Sequence, residues 1–229
     1  METELLVRTY PRLFHMAEDG AFPSILENGL LSATALLDLY EITGKERIAI
    51  ESRRRPESVT ISKVGLPDAV IRDNKPMTDG ALVKCLQDGL VPEKWYRILN
   101  SKTFFWLHKK RLWRLLLAEA YRDFAQTILT IDTASIVSAH QDRILLSPIN
   151  SGSTIMNPRP RGNGTFLPIS QYPYADRRKS RTVENALVEL TVDYGVPDIK
   201  HHLISAHRFA NGTLTELWRR PGSAPDDGP

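Results

Sequence analysis

The chain has one cysteine, Cys85, and it has none of the short motifs that mark the commonest catalytic and cofactor sites. A lone cysteine excludes an internal disulfide framework and a Cys-rich zinc site, and it indicates a reducing compartment, for which we expect the cytoplasm. No GxGxxG or GxxxxGK[ST] stretch is present, which argues against Rossmann and P-loop nucleotide sites. HExxH and GxSxG are absent as well, so metalloprotease and serine-hydrolase chemistry have no support, and we expect no metal.

Long apolar runs and a strong charge imbalance are also missing. The sequence contains no run that would span a membrane and no signal-peptide pattern, so we expect no membrane contact. The formal net charge is only +3, which gives a weak general attraction to polyanions. A length of 229 residues with 41% hydrophobic content suits one globular domain. We expect this domain over residues 1–218, followed by a disordered Pro-, Gly- and Asp-rich tail over 219–229.

Helical patterns occur mainly early in the chain and strand patterns mainly late, which predicts an α+β fold and not a doubly wound one. Spacing, caps and prolines predict helices from Phe22 to a stop at Gly29, and over 33–42, 45–55, 78–86, 92–99 and 111–121. Short β-branched or aromatic runs predict strands over 13–17, 59–61, 103–107, 127–131, 144–146 and 185–192.

Two segments carry polar residues in apolar surroundings. Residues 13–17 (LFHMA) read as a strand with His15 near its end, and 25–32 (ILENGLLS) as the end of a helix closed by glycine. The last strong strand (187–192, LVELTV) contains Glu189 within an apolar run. Because an unpaired buried carboxylate is costly, Glu189 should face a cleft, a partner or solvent. Glu184, at the entrance of this strand, is the alternative.

Together these segments resemble the NAD-consuming ADP-ribosyltransferase superfamily. The similarity is to the DarT-type DNA ADP-ribosyltransferases and, more distantly, to the KptA-type RNA 2'-phosphotransferases. It rests on the Phe14-His15 pair, on the helix end ILENGL, and on Glu189-Leu-Thr-Val preceding Val196-Pro197. The resemblance implies a single ADP-ribosyltransferase-like domain with a split, mostly antiparallel β core and helices concentrated in the N-terminal half. The chain departs from the pattern at Met16-Ala17, where many members have Gly-Thr, and in the aromatic strand, which lacks the usual tyrosine.

The resemblance also implies roles for particular residues, with NAD as the co-substrate. Glu189, His15 and Arg55 would be the catalytic residues, with Glu189 stabilising an oxocarbenium-like state and His15 holding a ribose hydroxyl. The cofactor-binding residues that we expect are His15, Met16 (through its backbone), Arg54, Arg55, Phe105 and Ser153. The choice among Arg53, Arg54 and Arg55 stays open, since cations at a helix end also favour the helix dipole. Phe105 is equally explained by core packing, and His108 is a further polar candidate.

A long segment over 148–181 is rich in Pro, Gly, Asn and Ser and has no helical or strand period. Loops of this length inside a compact domain are usually functional or disordered. Its cations and aromatic residues fit single-stranded nucleic acid, because cations follow phosphates while aromatic faces stack on bases. The nucleic-acid-binding residues that we expect are Arg159, Arg161, Tyr172, Arg177, Arg178 and Lys179. A solvated basic loop is the alternative.

The leading hypothesis is a cytoplasmic NAD-dependent ADP-ribosyltransferase that modifies DNA or RNA, with a toxin or defence role and an antitoxin or immunity protein as partner. The alternatives are an NAD glycohydrolase, an RNA 2'-phosphotransferase, or a catalytically silent nucleic-acid- or protein-binding module. We expect His15, Glu189 and one of Arg53–Arg55 to line one cleft, on the same face of the sheet.

Overall fold

A computed structural model describes residues 1–229, and its twelve strands and ten α-helices form one mixed α+β domain. The strands are β1 (Arg12–Glu18), β2 (Leu30–Leu31), β3 (Val59–Ile61), β4 (Ala69–Ile71), β5 (Lys102–Trp106), β6 (Gln126–Asp132), β7 (Ile144–Ser147), β8 (Leu167–Pro168), β9 (Glu189–Asp193), β10 (Gly195–Val196), β11 (Leu203–Ala210) and β12 (Thr213–Arg219). The helices are α1 (Thr3–Thr9), α2 (Phe22–Asn28), α3 (Ala33–Leu39), α4 (Gly44–Glu51), α5 (Asp79–Cys85), α6 (Pro92–Asn100), α7 (Lys109–Leu116), α8 (Thr133–His140), α9 (Tyr174–Arg178) and α10 (Val183–Ala186). None of these helices combines the length and apolarity that crossing a bilayer requires.

The central element is an eight-stranded sheet in the order β12-β11-β6-β1-β5-β9-β7-β8, and every neighbouring pair is antiparallel. Its middle is weak. β1 and β6 pair along the whole of β1, from Arg12 to Glu18, but β1 meets β5 only where Phe14 lies opposite Trp106. The sheet is therefore divided into two halves that separate beyond this pair. The predicted fold class, α+β with a mostly antiparallel sheet, is confirmed.

The largest hydrophobic cluster contains 26 buried residues and lies across both halves of the sheet. β6 lies between β11 and β1, and its apolar residues Ile128, Leu129 and Ile131 are all fully buried because both faces of β6 are covered. On the other face, the amphipathic helix α7 adds Leu112 and Leu116 to a second cluster. Both faces of the sheet are thus fixed by packing.

Several predicted elements have different bounds in the structure. α4 ends at Glu51 instead of continuing to residue 55, and Ser32 caps a helix that ends at Leu39 instead of residue 42. α7 spans residues 109–116, so it begins two residues before the helix predicted over 111–121 and ends five residues before that helix does. The strand predicted over 185–192 is in fact the short helix α10 followed by β9. We did not predict α8, β11 or β12, and β12 (TLTELWR) is a mostly exposed edge strand with little apolar signal.

The final residues do not extend away from the domain. After β12, residues 220–229 have no helix or strand, but Arg12 of β1 donates to Asp227 at 2.6 Å. Arg219 donates to the carbonyl oxygen of Ala224 at 2.6 Å. In place of the disordered tail that composition predicts, the structure holds this segment against the start of β1.

The segments that carry the family resemblance lie against each other. β2, which follows Gly29, pairs with β10, which precedes Pro197. Gly29 has φ +86°, and a Cβ atom there would lie 2.5 Å from the Cα atom of Pro197. Only glycine fits this contact, so the early helix end and the late Val-Pro pair are joined directly.

Candidate active-site cleft

A large cleft opens where β1 and β5 separate. Its volume is about 1340 Å³, above the roughly 300–1,000 Å³ of ordinary small-molecule pockets. Its walls come from β1, β5, the α2–α3 region, the end of β4, the segment after α7 and the loop over 150–156. A cleft of this size accommodates an extended ligand such as a dinucleotide.

His15 lies on β1 at the point of separation. Its Nδ1 atom is 2.8 Å from the carbonyl oxygen of Phe104. A carbonyl only accepts hydrogen bonds, so Nδ1 carries the proton and Nε2 keeps a free lone pair. Burial lowers the pKa of His15 to about 4, opposed by the bond to Phe104 and assisted by the positive charge of Arg72. His15 is therefore a neutral acceptor that can bind a hydroxyl group.

Glu189 is the first residue of β9, and only 4% of its surface is exposed. Its two oxygens accept from the backbone N–H of Ser151 at 3.1 and 3.2 Å, and one also accepts from the Ser151 hydroxyl at 2.7 Å. Burial raises the pKa of Glu189 to about 7, although the Ser151 donors and the charges of Arg111 and Arg161 act in the opposite direction. This carboxyl group thus changes its charge near neutral pH, which is typical of a catalytic acid or base.

Ser151 is itself fixed by Arg161. The Arg161 guanidinium donates to the carbonyl oxygens of Ser151 and Ser153, both at 2.9 Å, and lies 5.9 Å from the ring centre of Trp95. Only 1% of Arg161 is exposed. Its side chain therefore organises the loop from inside, whereas the sequence predicts Arg161 as a direct nucleic-acid contact.

The cleft brings together His15, Glu189 and Arg55, as the sequence predicts. The stricter expectation, that His15 and Glu189 share a face of the sheet, is wrong. Trp106 pairs with both Phe14 and Glu189, which places these three on one face, whereas His15 alternates to the other. Both residues nevertheless line the one cleft, whose walls include residues from both faces of the sheet.

Arg54 and Arg55, which the sequence predicts as NAD-binding residues, use their guanidinium groups for hydrogen bonds within the protein. The Arg55 guanidinium donates to the carbonyl oxygens of Ile50 and Arg72 and, at 2.9 Å, to Asn100 Oδ1, and burial lowers its pKa to about 10. It fixes the chain where α4 ends. Arg54 donates to the carbonyl oxygen of Met77 and lies outside the cleft.

Arg72 is a better phosphate candidate that sequence reasoning missed. It follows β4 directly, lines the cleft, and donates to Gln126 Oε1 at 2.8 Å with its guanidinium 5.2 Å from the ring centre of Tyr121. No carboxylate forms an ion pair with it. Burial is the main reason that its pKa is lowered. A short strand followed by arginine has no distinctive sequence pattern, so nothing in the sequence indicated it.

The remaining cofactor-binding candidates, Phe105, Met16 and Ser153, differ in how they face the cleft. Phe105 is 1% exposed and packs 5.8 Å from the His15 ring, so it forms a wall of the cleft. The Met16 side chain belongs to the cluster on the opposite face from His15, and its carbonyl oxygen is 3.5 Å from Arg72 Nη1. Ser153 lines the cleft.

The alternative polar residues are engaged elsewhere. Glu184 forms an ion pair with Arg114 at 3.0 Å and does not line the cleft. His108 caps the start of α7 by accepting from the Lys110 backbone N–H.

The aromatic residues of the long loop do not form a stacking surface. Tyr172 is 2% exposed and donates to the carbonyl oxygen of Ala186 at 2.6 Å, while Tyr174 is buried and Phe166 stacks on Trp95. The prediction that Tyr172 and its neighbours stack on bases is therefore wrong. Their apolar rings contribute more stability in the core than they would on the surface.

The cations of the loop divide into two groups. Arg177 donates to the carbonyl oxygens of Ala186 and Pro148, at 2.7 and 3.1 Å, and so ties the loop to β7 and α10. Arg159, Arg178 and Lys179 are exposed, and Lys179 pairs with Asp176 at 2.7 Å. These three side chains are at the surface, and their contact with nucleic acid stays a prediction.

One cluster away from the cleft has residues that bind metals in other proteins. His140 and His202 both lie near Asp198, at 2.7 and 3.2 Å. Arg143 donates to His140 Nδ1 at 2.8 Å, so the proton of neutral His140 lies on Nε2 and is donated to Asp198. A metal ligand needs that Nε2 lone pair, so this cluster reads as a hydrogen-bond network at the end of α8.

The chain belongs to the family of unknown function DUF7002, whose model matches residues 11–203. The match runs from the start of β1 to the start of β11 and includes His15, Arg72, Ser151 and Glu189. No curated protein matches the chain.

Proposed function

We propose that the protein is an NAD-dependent ADP-ribosyltransferase that acts in the cytoplasm. The observation that carries the proposal is that a neutral histidine acceptor, His15, and a buried carboxyl group with a pKa near 7, Glu189, line one cleft of dinucleotide size. The resemblance of the segments around these two residues to ADP-ribosyltransferases supports the same activity. By the same resemblance, a toxin or defence role with a neutralising partner protein belongs to the proposal.

The chemical groups of the cleft suit NAD. The free Nε2 atom of His15 accepts a hydrogen bond from a ribose hydroxyl. The Arg72 guanidinium, which has no carboxylate partner, pairs with the diphosphate, for which its planar donors are well shaped. Phe105 provides an apolar wall beside His15.

Glu189 performs the central step. Breaking the bond between the ribose C1' and the nicotinamide nitrogen leaves the electron pair on nicotinamide and positive charge on the ribose. The ionised Glu189 carboxylate stabilises this charge, and the Ser151 donors keep the carboxylate oriented. The same carboxylate then accepts the proton that the nucleophile of the acceptor loses as it attacks C1'.

Nicotinamide release from NAD, measured with and without single-stranded DNA or RNA, tests the proposal. We expect the Glu189→Gln variant to lose at least ~10²-fold in turnover, the scale of removing one preorganised electrostatic group. Glu184→Gln is the matched control, because Glu184 is near in sequence but outside the cleft.

The label distribution separates the alternatives. Release accompanied by ADP-ribose on the nucleic acid supports the transferase, and release without label assigns a glycohydrolase. Release only with 2'-phosphorylated RNA assigns a phosphotransferase. No release under any condition refutes the enzyme and leaves a binding module.

A further inference from the structure

A second, smaller pocket adjoins the cleft beside Glu189. Its volume is about 260 Å³, below the roughly 300 Å³ at which ordinary ligand pockets begin, so it fits one group and not a dinucleotide. The two cavities share Arg111 and much of the loop over 150–156. A ligand group in this pocket would therefore lie next to whatever reacts at Glu189.

Arginine dominates this basic pocket. Its walls include Arg111, Arg159, Arg161 and Arg181, and no Asp or Glu lines it. Four guanidinium groups without a carboxylate among them create a positive potential that favours an anion.

The hydrogen bonds of these arginines do not neutralise them. Arg111 donates to the backbone carbonyl of Glu184 at 2.9 Å and to Asn185 Oδ1 at 2.7 Å, both uncharged acceptors. The guanidinium of Arg161 likewise bonds only to carbonyl oxygens. The exposed side chains of Arg159 and Arg181 form neither an ion pair nor a hydrogen bond within the chain, so their donors are free for a ligand.

Two carboxylates act on these arginines: the charge of Glu184 acts on Arg111 more strongly than that of Glu189, and both Arg111 and Arg161 lower the pKa of Glu189. Glu189 is buried on the cleft side and lines only the larger cavity. The four guanidinium groups of the basic pocket therefore outnumber Glu184 and Glu189, and neither of these carboxylates lines it. Guanidinium groups bind phosphate through paired hydrogen bonds, which makes phosphate the anion that fits best.

We propose that the basic pocket binds a phosphate group of the ADP-ribose acceptor, namely a backbone phosphate of a single nucleic-acid strand. The inference rests on the proposed function, because it places the acceptor beside Glu189. Since Tyr172 and Tyr174 are buried, recognition uses the backbone and not base stacking, and it tolerates different sequences.

The test uses a labelled eight-nucleotide oligothymidylate and the same strand with uncharged methylphosphonate linkages. Arg159→Ala/Arg181→Ala is the test variant, and these two side chains make no bonds within the fold. Arg8→Ala/Arg122→Ala is the matched control, because both of these arginines are exposed and line neither cavity.

We expect fluorescence anisotropy to show binding of the charged strand only. The test variant should bind it at least ~10-fold more weakly, with the slope of log K against log salt reduced by about 0.7, the value for one lost phosphate contact on a single strand. The control variant should bind as the wild type does. Equal affinity in the test variant and the wild type overturns the proposal.

Calorimetric titration with NAD identifies the source of the phosphate. Unchanged NAD affinity in the test variant supports an acceptor phosphate, and an equal loss assigns the pocket to the NAD diphosphate and overturns the proposal. A wild type that binds the strand here but never releases nicotinamide refutes the transferase while leaving the phosphate pocket standing.

Discussion

Burial shifts the pKa values of His15 and Glu189 in opposite directions. It disfavours the charged form of each, so the pKa of His15 falls to about 4 and that of Glu189 rises to about 7. Folded His15 binds protons less readily than in the unfolded chain, so its contribution to stability is lost as the pH falls from about 6.5 towards 4. Folded Glu189 binds its proton more readily, so its contribution is lost as the pH rises from about 4.5 to 7. The two effects oppose each other over nearly the same range.

The Glu189→Gln variant separates them. Glutamine has no proton to release, so the variant should gain about 3 kcal/mol of unfolding free energy relative to the wild type between about pH 4.5 and pH 7. Urea unfolding at several pH values measures this difference. A constant difference between the two proteins across that range would show that Glu189 is ionised throughout.

Arg72 gives a second prediction at the scale of one residue. Removing a charge-assisted contact costs about 1.5–3 kcal/mol, so Arg72→Ala should weaken NAD binding by roughly 10- to 100-fold. Arg54→Ala is the control, since Arg54 does not line the cleft and donates to the backbone carbonyl of Met77. Calorimetry measures the NAD affinity of each variant. If Arg72→Ala, Arg54→Ala and the wild type all bind NAD equally, the phosphate role returns to the other arginines after α4.

At the scale of elements, the junction of β2 and β10 holds the early and late parts of the cleft in place. Gly29 has φ +86° and touches Pro197, whereas Gly20 has φ +78° and no atom within 4 Å of its Cβ position. Both substitutions by alanine strain the backbone, but only Gly29→Ala adds a collision with a backbone. We expect Gly29→Ala to lose about 1–3 kcal/mol more than Gly20→Ala in chemical unfolding. Equal losses of unfolding free energy in the two variants would mean that the contact between Gly29 and Pro197 can move apart at no energetic cost.

The sequence predicts correctly those helices and strands that are marked by neighbouring residues in the chain, such as a helix cap, a starting proline or an aromatic run. Ser32 and Thr78 cap their helices with side-chain bonds, Pro92 starts α6, and the aromatic run gives β5. β12 escaped prediction because an exposed edge strand needs no apolar alternation.

The site was only partly visible in the sequence. His15 and Glu189 stand out as polar residues in apolar strands, whereas Arg72 and Arg161 acquire their positions from contacts that are distant in the chain. The loop aromatics misled because composition does not distinguish a ring exposed for stacking from a ring buried in the core, as Tyr172 is.

At the scale of the whole molecule, the weak contact between β1 and β5 both creates the cleft and leaves the two halves of the sheet loosely joined. A ligand that contacts His15 on β1 and Glu189 on β9 connects these halves. On the proposed function NAD would bind only the folded chain, so at one hundred times its dissociation constant we expect it to add about 2.7 kcal/mol to the free energy of unfolding.

Hydrogen exchange should locate this stabilisation. With a non-hydrolysable NAD analogue, we expect the largest added protection at backbone amides of β1 and β5 beyond the Phe14–Trp106 pair, because the strands separate there. The outer strands β12 and β8 should change little. In a His15→Ala/Glu189→Gln variant the added protection should disappear from both halves together. Protection confined to one half would show that the ligand binds beside the split and does not bridge it.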